Sequence, residues 1–231
     1  MEERLVCTPH PFISVVGGGG KTTFLAAFGD YLRRRGKSVL LTTTTKLAYP
    51  GIEYYGEDFF STTLSSLLST PVAPGTLTLF AHDDEDKRKL FYPGEDEIEK
   101  AGGRYDVVIA EADGSRHRPV KIHTSRDPVV LKSTTAVVSL VGIWCLKRMT
   151  DDVAFGETRS LIVDGGYLQS YIDSDEGPLK GMRDDTENIL LFNGADEMTD
   201  EAERVFSSLV IPGFVKAYIV SEREGVIYHA L

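Results

Sequence analysis

Short apolar runs bounded by turn residues recur along the chain. Their apolar positions are continuous, a pattern typical of strands that are covered on both faces. Helical patterns separate several of the runs, which favours a mostly parallel sheet. The runs predict strands at 12–16, 39–43, 107–110, 136–141, 189–192 and 217–220. The hydrophobic pattern therefore predicts an α/β fold.

Two helices are predicted from the spacing of apolar residues. Over 22–35 these residues repeat at helical spacing until Gly36 ends the run. Over 200–209, Asp200 and Glu203 have the spacing of a capping-box variant at a helix start. We expect this second helix to connect the last two strands.

Two segments have a weaker pattern. In 49–104, only a short helix at 62–68, a short strand at 76–80 and a turn at 92–94 are predicted. The segment 147–186 contains scattered Gly, Asp and Pro residues and is irregular. Both segments are interpreted as insertions in a larger domain.

The composition is that of an ordinary globular protein, with 42% hydrophobic and 26% charged residues. A single three-layer domain over residues 1–231 is expected. The net charge of -10 disfavours nucleic acid and anionic membranes as partners, because both repel an acidic protein. The composition does not predict the oligomeric state.

The chain shows no pattern for export or membrane insertion, and a cytoplasmic location is expected. The start at 1–4 is acidic and does not resemble a signal peptide. The apolar stretch at 136–146 is shorter than the roughly 20 residues that span a membrane. Cys7 and Cys145 are far apart and form no C-x-x-C pattern, so neither a disulfide framework nor a zinc site is indicated.

A glycine-rich loop follows the first predicted strand. It consists of Gly17, Gly18, Gly19, Gly20, Lys21, Thr22 and Thr23. Glycines allow successive backbone N–H groups to turn towards an anion, and the helix that follows adds the positive end of its dipole. We expect Lys21 to contact the terminal phosphates of ATP or GTP and Thr22 to bind Mg²⁺. Val15 stands where the strict P-loop pattern has glycine, so a shortened loop in a fold of the P-loop NTPase type is predicted.

Two acidic residues follow the predicted strand at 107–110. Glu111 and Asp113 are expected near the phosphate loop, because ligands of parallel sheets lie at the carboxyl ends of the strands. One of them is a candidate magnesium ligand, and the other is a candidate for orienting a water or a substrate hydroxyl. The alternative is a plain turn at Asp113-Gly114 with a solvated Glu111.

A basic cluster at 116–123 comes next, in an otherwise acidic chain. Arg116 is a candidate for binding an anionic ligand, and Lys121 is a candidate catalytic cation that neutralises developing phosphate charge. Chance placement on the surface is the alternative. Thr44, after the second strand, is a candidate magnesium or phosphate contact, although its residue type is equally common in ordinary strands.

A possible base-binding element follows the strand at 189–192. Asn193 and Asp196 have the spacing of the guanine-reading N-K-x-D element, in which the aspartate binds guanine and the lysine stem covers the base. Gly194 stands where that element has lysine, and the alternative is a simple Asn-Gly turn. Trp144 is interpreted as a core residue.

Most of the chain resembles the YqeC family, whose members are described as accessory proteins of selenium-dependent molybdenum hydroxylases. The residues that carry the resemblance are 15–23, 41–46, 111–116, 119–121, 127–128, 180–181 and Asn193. Asp127 stands where glutamate is expected. The resemblance implies a P-loop fold, a role in maturing a selenium or molybdenum cofactor, and a molybdenum hydroxylase or a maturation protein as partner.

Three functions are compatible with the sequence. The first is a magnesium-dependent NTPase or phosphoryl transferase that uses Lys21, Thr22 and either Glu111 or Asp113. The second is a nucleotide-gated binding module that delivers or guards a cofactor, since a ligand can shift an equilibrium between two states that it binds differently. The third is an ATP-dependent ligase, because the loop is similar to that of the Mur ligases.

Overall fold

The computed structural model describes residues 5–6, 8–83, 88–221 and 223–231, without the side chain of Glu197. The described strands are β1 (Phe12–Gly17), β2 (Val39–Thr43), β3 (Lys46–Ala48), β4 (Phe59–Ser61), β5 (Leu77–Phe80), β6 (His82–Asp83), β7 (Lys89–Phe91), β8 (Val107–Glu111), β9 (Val120–Lys121), β10 (Ala136–Gly142), β11 (Ala154–Phe155), β12 (Glu187–Asn193), β13 (Lys216–Ser221) and β14 (Val226–Ala230). The described α-helices are α1 (Lys21–Arg34), α2 (Leu64–Ser69), α3 (Glu95–Gly102), α4 (Thr150–Val153), α5 (Gly165–Ile172) and α6 (Asp200–Ser207).

The chain falls into two compact units, and β1 contributes to both. The first unit comprises the chain up to Val15, Thr22–Asp113 and Val129–Ala136. The second comprises Val16–Lys21, Gly114–Pro128 and Val137–Leu231. The single domain that the sequence predicts stays a prediction.

The first unit is built on parallel strands in the order β1-β8-β2-β5-β4. On one face, Leu40 shares a core with Leu67 of α2 and Ile98 of α3. On the other face, α1 packs so closely that a Cβ at Gly29 would lie 2.5 Å from Leu77 Cδ1. Neighbouring residues of a strand point to opposite faces, so this sheet has helices on both sides, as the continuous apolar runs predict.

The second unit contains strands in the order β14-β13-β12-β10, followed by the end of β1. β12 and β13 are parallel, whereas β14 pairs with β13 in the antiparallel direction. Phe192 of β12 and Phe206 of α6 pack against each other with ring centroids 4.9 Å apart. Their core also includes Leu168 of α5 and Ile219 of β13, so α5 and α6 cover one face of these strands.

All six strands predicted from apolar runs are present, and the first predicted helix is α1. The second predicted helix is α6, and it connects the last two predicted strands, β12 and β13, as expected; a further strand, β14, follows them. β14 was missed because all its residues are exposed, so it carries no burial pattern. The cap of α6 also differs: Thr199, and not Asp200, is the N-cap, and its hydroxyl accepts a hydrogen bond from the Ala202 N–H.

The segments predicted to be irregular contain short helices and strands. α3 has only three buried residues, and β3, β6 and β7 are two or three residues long, too short for a recognisable period. Within the described part of the chain, no helix is long and apolar enough to cross a membrane. Burial raises the pKa of the Cys145 thiol to about 12, so this free cysteine is protonated and unreactive at neutral pH. Cys7 lies outside the described residues.

Candidate functional site

The glycine-rich loop of the second unit begins where β1 ends, and its first three glycines have no space for a side chain. A Cβ at Gly17 would overlap the Leu140 carbonyl oxygen, and one at Gly19 would overlap the Gly142 nitrogen. Both glycines also have a positive φ, of 93° and 74°. A Cβ at Gly18 would overlap the Arg118 carbonyl oxygen. The loop therefore requires glycine because the surrounding backbone approaches it closely.

Two amide groups of the loop are hydrogen-bonded within the protein. The Gly18 N–H donates to the Leu140 carbonyl (2.9 Å), and the Gly19 N–H donates to the Arg118 carbonyl (3.0 Å). The first N–H groups of α1, which begins at Lys21, have no carbonyl of their own helix to bind. The N–H groups of Gly18 and Gly19 therefore hold the shape of the loop, and the N–H groups of the helix start are the ones suited to an anion.

Lys21 is buried, with 5% of its surface exposed. Its ammonium group donates to the Gly17 carbonyl at 2.5 Å and lies 3.3 Å from Ser115 Oγ. The side chain thus lies against the loop from which it extends. Ser115 had no assigned role in the sequence-based prediction, since only its place in a motif was evident.

Asn193, at the end of β12, reaches the same loop. Its side-chain amide donates to the Gly19 carbonyl at 2.9 Å, and the residue is 7% exposed. The sequence indicates a base contact for Asn193. In the structure its amide donates to the loop backbone and holds the loop in position.

The guanine-reading comparison fails sterically at Gly194. This residue has a φ of 101°, and a Cβ there would lie 2.8 Å from Trp144 Cε3. A lysine at this position would collide with the indole ring. The Asp196 carboxylate accepts a hydrogen bond from Ser221 Oγ (2.8 Å) and lies 3.8 Å from an Arg223 guanidinium nitrogen.

In the first unit, Thr22 is bound to a carboxylate that the sequence analysis missed. Thr22 Oγ1 donates to Glu53 Oε2 at 3.2 Å, and the Tyr55 hydroxyl donates to the same oxygen at 3.2 Å. Burial and the nearby charges of Glu53 and Glu111 raise the pKa of Tyr55. Glu53 lies in a segment with little periodicity, where no local pattern distinguishes it from an ordinary surface acid.

Glu111 and Asp113 are both buried, with exposed fractions of 7% and 1%. Glu111 ends β8, in register with Val15 of β1 and Thr43 of β2. Its carbonyl accepts hydrogen bonds from the Thr44 N–H at 2.9 Å and from Thr43 Oγ1 at 3.0 Å. This places Glu111 at the carboxyl end of a central strand, and its burial argues against a solvated surface acid.

Two further predicted contacts have internal partners. The Thr44 hydroxyl, in the first unit, donates to the Val129 carbonyl at 2.7 Å. Arg116, in the second unit, is exposed, and its guanidinium carbon lies 5.0 Å from the centroid of the Phe155 ring. Thr23 is exposed on the first turn of α1.

Lys121 is the most enclosed cation of the basic cluster, with 2% exposure. Its ammonium group forms an ion pair with Asp127 Oδ2 at 2.6 Å and lies 4.7 Å from the centroid of the Phe155 ring. The Tyr171 hydroxyl donates to the Lys121 carbonyl at 2.7 Å and accepts a hydrogen bond from the Lys121 backbone N–H at 3.3 Å. Both the side chain and the backbone of Lys121 are therefore held within the second unit.

Among the described residues, no group of three or more His, Cys, Asp or Glu residues has the geometry of a metal site. Mg²⁺ does not require such a group, because it is commonly bound by one or two protein oxygens together with phosphate oxygens and water. The Thr22 hydroxyl and the carboxylates of Glu53 and Glu111 are oxygen ligands of the type that it prefers. The chemistry of these three residues therefore fits Mg²⁺.

These features define an α/β protein with a glycine-rich loop between a buried strand and a helix that begins with lysine. The family model described as YqeC protein matches residues 13–156, more than half of the 231 residues. The chain therefore belongs to the YqeC family, as the sequence resemblance predicts. The match includes the loop, Glu53, Glu111, Asp113, Lys121 and Trp144, whereas Asn193 and Asp196 lie beyond it.

A curated relative gives the same family. The chain is 31% identical over 136 residues to a protein of Escherichia coli (strain K12) described as "Uncharacterized protein YqeC". The match covers 56% of the chain and 51% of the relative, so the chain spans about half the length of that protein. The description of the relative states no activity.

Proposed function

We propose that this protein binds a nucleoside triphosphate with Mg²⁺ and hydrolyses it or transfers its terminal phosphoryl group. The observation that carries the proposal is Lys21, a buried lysine at the start of α1 whose ammonium group lies on the Gly17 carbonyl and close to Ser115 Oγ. A cation at a helix start, after a loop that admits only glycine, suits a chain of phosphates. In this proposal the fold belongs to the P-loop NTPase type.

The roles of the loop residues follow from their contacts. Lys21 contacts the terminal phosphates, and the N–H groups of Gly20 and the first turn of α1 donate to phosphate oxygens. Gly17, Gly18 and Gly19 allow the close approach of the backbone, and Asn193 holds Gly19 in place. Arg116 is exposed and remains a candidate for contact with an anionic substrate.

Thr22 and Glu53 are the first candidates for holding magnesium. Because the Thr22 hydroxyl donates its hydrogen to Glu53, its lone pairs face away from that carboxylate and can bind a cation. Mg²⁺ would neutralise the phosphate charge when bound. Glu111 and Asp113 supply buried carboxylates for a second metal contact or for orienting the attacking water.

A nucleotide-gated binding module with slow or no turnover is the second candidate. It is favoured by the basic cluster, in which two cations have structural partners. Lys121 is in an ion pair with Asp127, and the Arg118 guanidinium donates to the carbonyls of Asp151 (2.7 Å) and Ala154 (2.9 Å). These groups are poorly placed to neutralise charge that develops during phosphoryl transfer.

The biological role that we propose is assistance in maturing a selenium- or molybdenum-containing enzyme, as the family resemblance implies. If nucleotide drives such a step, it must change the affinity of the protein for its partner, because only differential binding shifts an equilibrium. Equal affinity for a molybdenum hydroxylase or a maturation protein with and without nucleotide would contradict the gated module.

Thermal unfolding with ATP, GTP and CTP, each with and without Mg²⁺, tests nucleotide binding. A ligand that binds only the folded state raises the melting temperature by mass action. We expect the shift in the wild-type protein and in the control Lys37→Ala, which removes an exposed lysine, but not in Lys21→Ala. An equal shift in Lys21→Ala would remove the basis of the proposal. Phosphate release by the wild-type protein then distinguishes the enzyme from the binding module.

The magnesium assignment has a separate test. Glu53→Gln is expected to weaken the Mg²⁺-dependent part of nucleotide binding by about tenfold, the effect of losing one moderate interaction. Binding measured in EDTA is expected to change little. The control is Glu99→Gln, which neutralises an exposed carboxylate of α3. If Glu53→Gln and Glu99→Gln showed the same magnesium dependence, Glu53 would not belong to the metal site.

A further inference from the structure

A cavity of about 620 Å³ lies in the second unit, next to Trp144. It is lined by the apolar residues Ile143, Trp144, Leu146 and Ala202 and by the polar or charged residues Lys147, Thr199, Asp200, Glu201 and Arg204. The volume is within the range of small-molecule sites, which combine apolar walls with a few polar groups. Trp144 is only partly buried, so its indole ring is not simply a core side chain as the sequence analysis expected.

Trp144 packs against Gly142, whose backbone in turn packs against the glycine-rich loop. A Cβ at Gly142 would lie 2.7 Å from both Cζ2 and Cη2 of the indole ring, so the ring rests on the Gly142 backbone. Gly142 in turn lies against Gly19 of the loop, where a Cβ would overlap its nitrogen. The Gly142 backbone is therefore in contact with both the indole ring and the loop.

The Trp144 ring also packs against Gly194, the residue that stands where the guanine-reading element has lysine. The ring rests on Gly194, which follows Asn193, and Asn193 binds the Gly19 carbonyl. In that element the residue at this position covers one face of the base. An indole ring offers a flat apolar face for the same purpose, and every nucleobase can stack on such a face.

We infer that Trp144 and its cavity bind the base of the nucleotide, by stacking. The inference rests on the proposed function, because it assumes that the loop binds the phosphates. The Asp196 carboxylate is hydrogen-bonded to Ser221 and faces Arg223, so it is not arranged to read guanine. Recognition by stacking alone discriminates weakly, and ATP and GTP are expected to bind with similar affinity.

Isothermal titration with ATP and with inorganic tripolyphosphate, both with Mg²⁺, tests this inference. Tripolyphosphate carries the phosphates without a base and reports on the loop alone. We expect Trp144→Leu to weaken ATP binding by about tenfold and to leave tripolyphosphate binding unchanged. Trp144→Phe keeps an aromatic face and is expected to retain most of the ATP affinity. The control is Phe214→Leu, which alters an exposed aromatic residue of the same unit.

The wild-type protein offers an independent measurement, because Trp144 is its only tryptophan. Stacking of a base is expected to change the intrinsic fluorescence on addition of ATP, and tripolyphosphate is expected to leave it nearly constant.

Three results would overturn the inference. Unchanged ATP affinity in Trp144→Leu would place the base elsewhere while the proposed function stands. Equal weakening of ATP and tripolyphosphate binding would show that Trp144 supports the loop and not the base. If the wild-type protein bound neither ligand, the proposed function itself would fail.

Discussion

Lys21 and Lys121 are both buried lysines of the second unit, with exposed fractions of 5% and 2%, but their surroundings differ. The Lys121 ammonium group is in an ion pair with Asp127, and its backbone is fixed by Tyr171. The Lys21 ammonium group lies on a carbonyl of the loop that it follows and close to a serine hydroxyl. The burial of a lysine therefore does not indicate its role, and the groups around the ammonium do.

The comparison also separates two kinds of anion site. The sequence predicts one at the loop, from its glycines, Lys21 and the helix start, and one at the basic cluster, from positive side chains alone. In the cluster, the negative charge that Lys121 can bind is already part of the chain, on Asp127. At the loop, glycines bring backbone and helix start together, and the proposed phosphate site rests on this arrangement.

The largest expected effect is on stability, from Lys121→Ala. Removing Lys121 leaves the partly exposed Asp127 carboxylate with its Thr124 hydrogen bonds but without its cation, so we expect a loss of about 2 kcal/mol in the free energy of unfolding. Urea denaturation without nucleotide measures it, and Lys37→Ala is expected to change stability by less than about 0.5 kcal/mol. Wild-type stability in Lys121→Ala together with lost phosphate release would make Lys121 catalytic and would break the comparison.

A smaller effect is expected from Asn193→Ala, which removes the donor to the Gly19 carbonyl. The loop loses a fixed contact, so we expect ATP and tripolyphosphate to bind about tenfold more weakly. Asn188→Ala is a matched control, because Asn188 is a buried asparagine at the opposite end of β12 that donates to the Arg183 carbonyl. Both variants are expected to lose about 1 kcal/mol of stability. Equal phosphate affinity in the two variants would remove Asn193 from the site.

The smallest expected effect is a change in pH dependence. Burial raises the pKa of Asp127, but hydrogen bonds from Lys121 and Thr124 outweigh it and hold this pKa below its usual value. The stabilisation is therefore complete above the unfolded-state pKa of about 3.9 and is lost as pH falls through the folded-state value. We expect the stability of the wild-type protein to fall more steeply below about pH 4 than that of Asp127→Asn. Urea denaturation at several pH values measures the free energy of unfolding of both proteins. The same pH dependence in the wild-type protein and in Asp127→Asn would contradict the role of this ion pair.

Much of the fold was predictable because strands that are covered on both faces produce continuous apolar runs. β2 has the bounds that its run predicts, 39–43, and β1, β8, β10, β12 and β13 extend theirs by one to three residues. Elements with few or no buried residues were missed. α3 has three buried residues and β14 has none, so neither produces a hydrophobic period.

The residues of the candidate site can likewise be divided into those that the sequence predicts and those that it does not. The loop, Glu111 and Asp113 were predictable because each directly follows an apolar run. Glu53 and Ser115 were not assigned, since their contacts with Thr22 and Lys21 join residues 31 and 94 positions apart. Trp144 was interpreted as core because sequence does not show whether an aromatic side chain is fully enclosed.

The sequence by itself determined the α/β class, the six main strands, the glycine-rich loop and membership of the YqeC family. These features are local, because they depend on neighbouring residues along one strand, turn or helix. Only the tertiary structure decided that Lys121 is paired with Asp127, that Asn193 holds the loop and that Trp144 lies over Gly194. Such partners are brought together by packing across the sheet, and residue types along the chain do not specify which of them will meet.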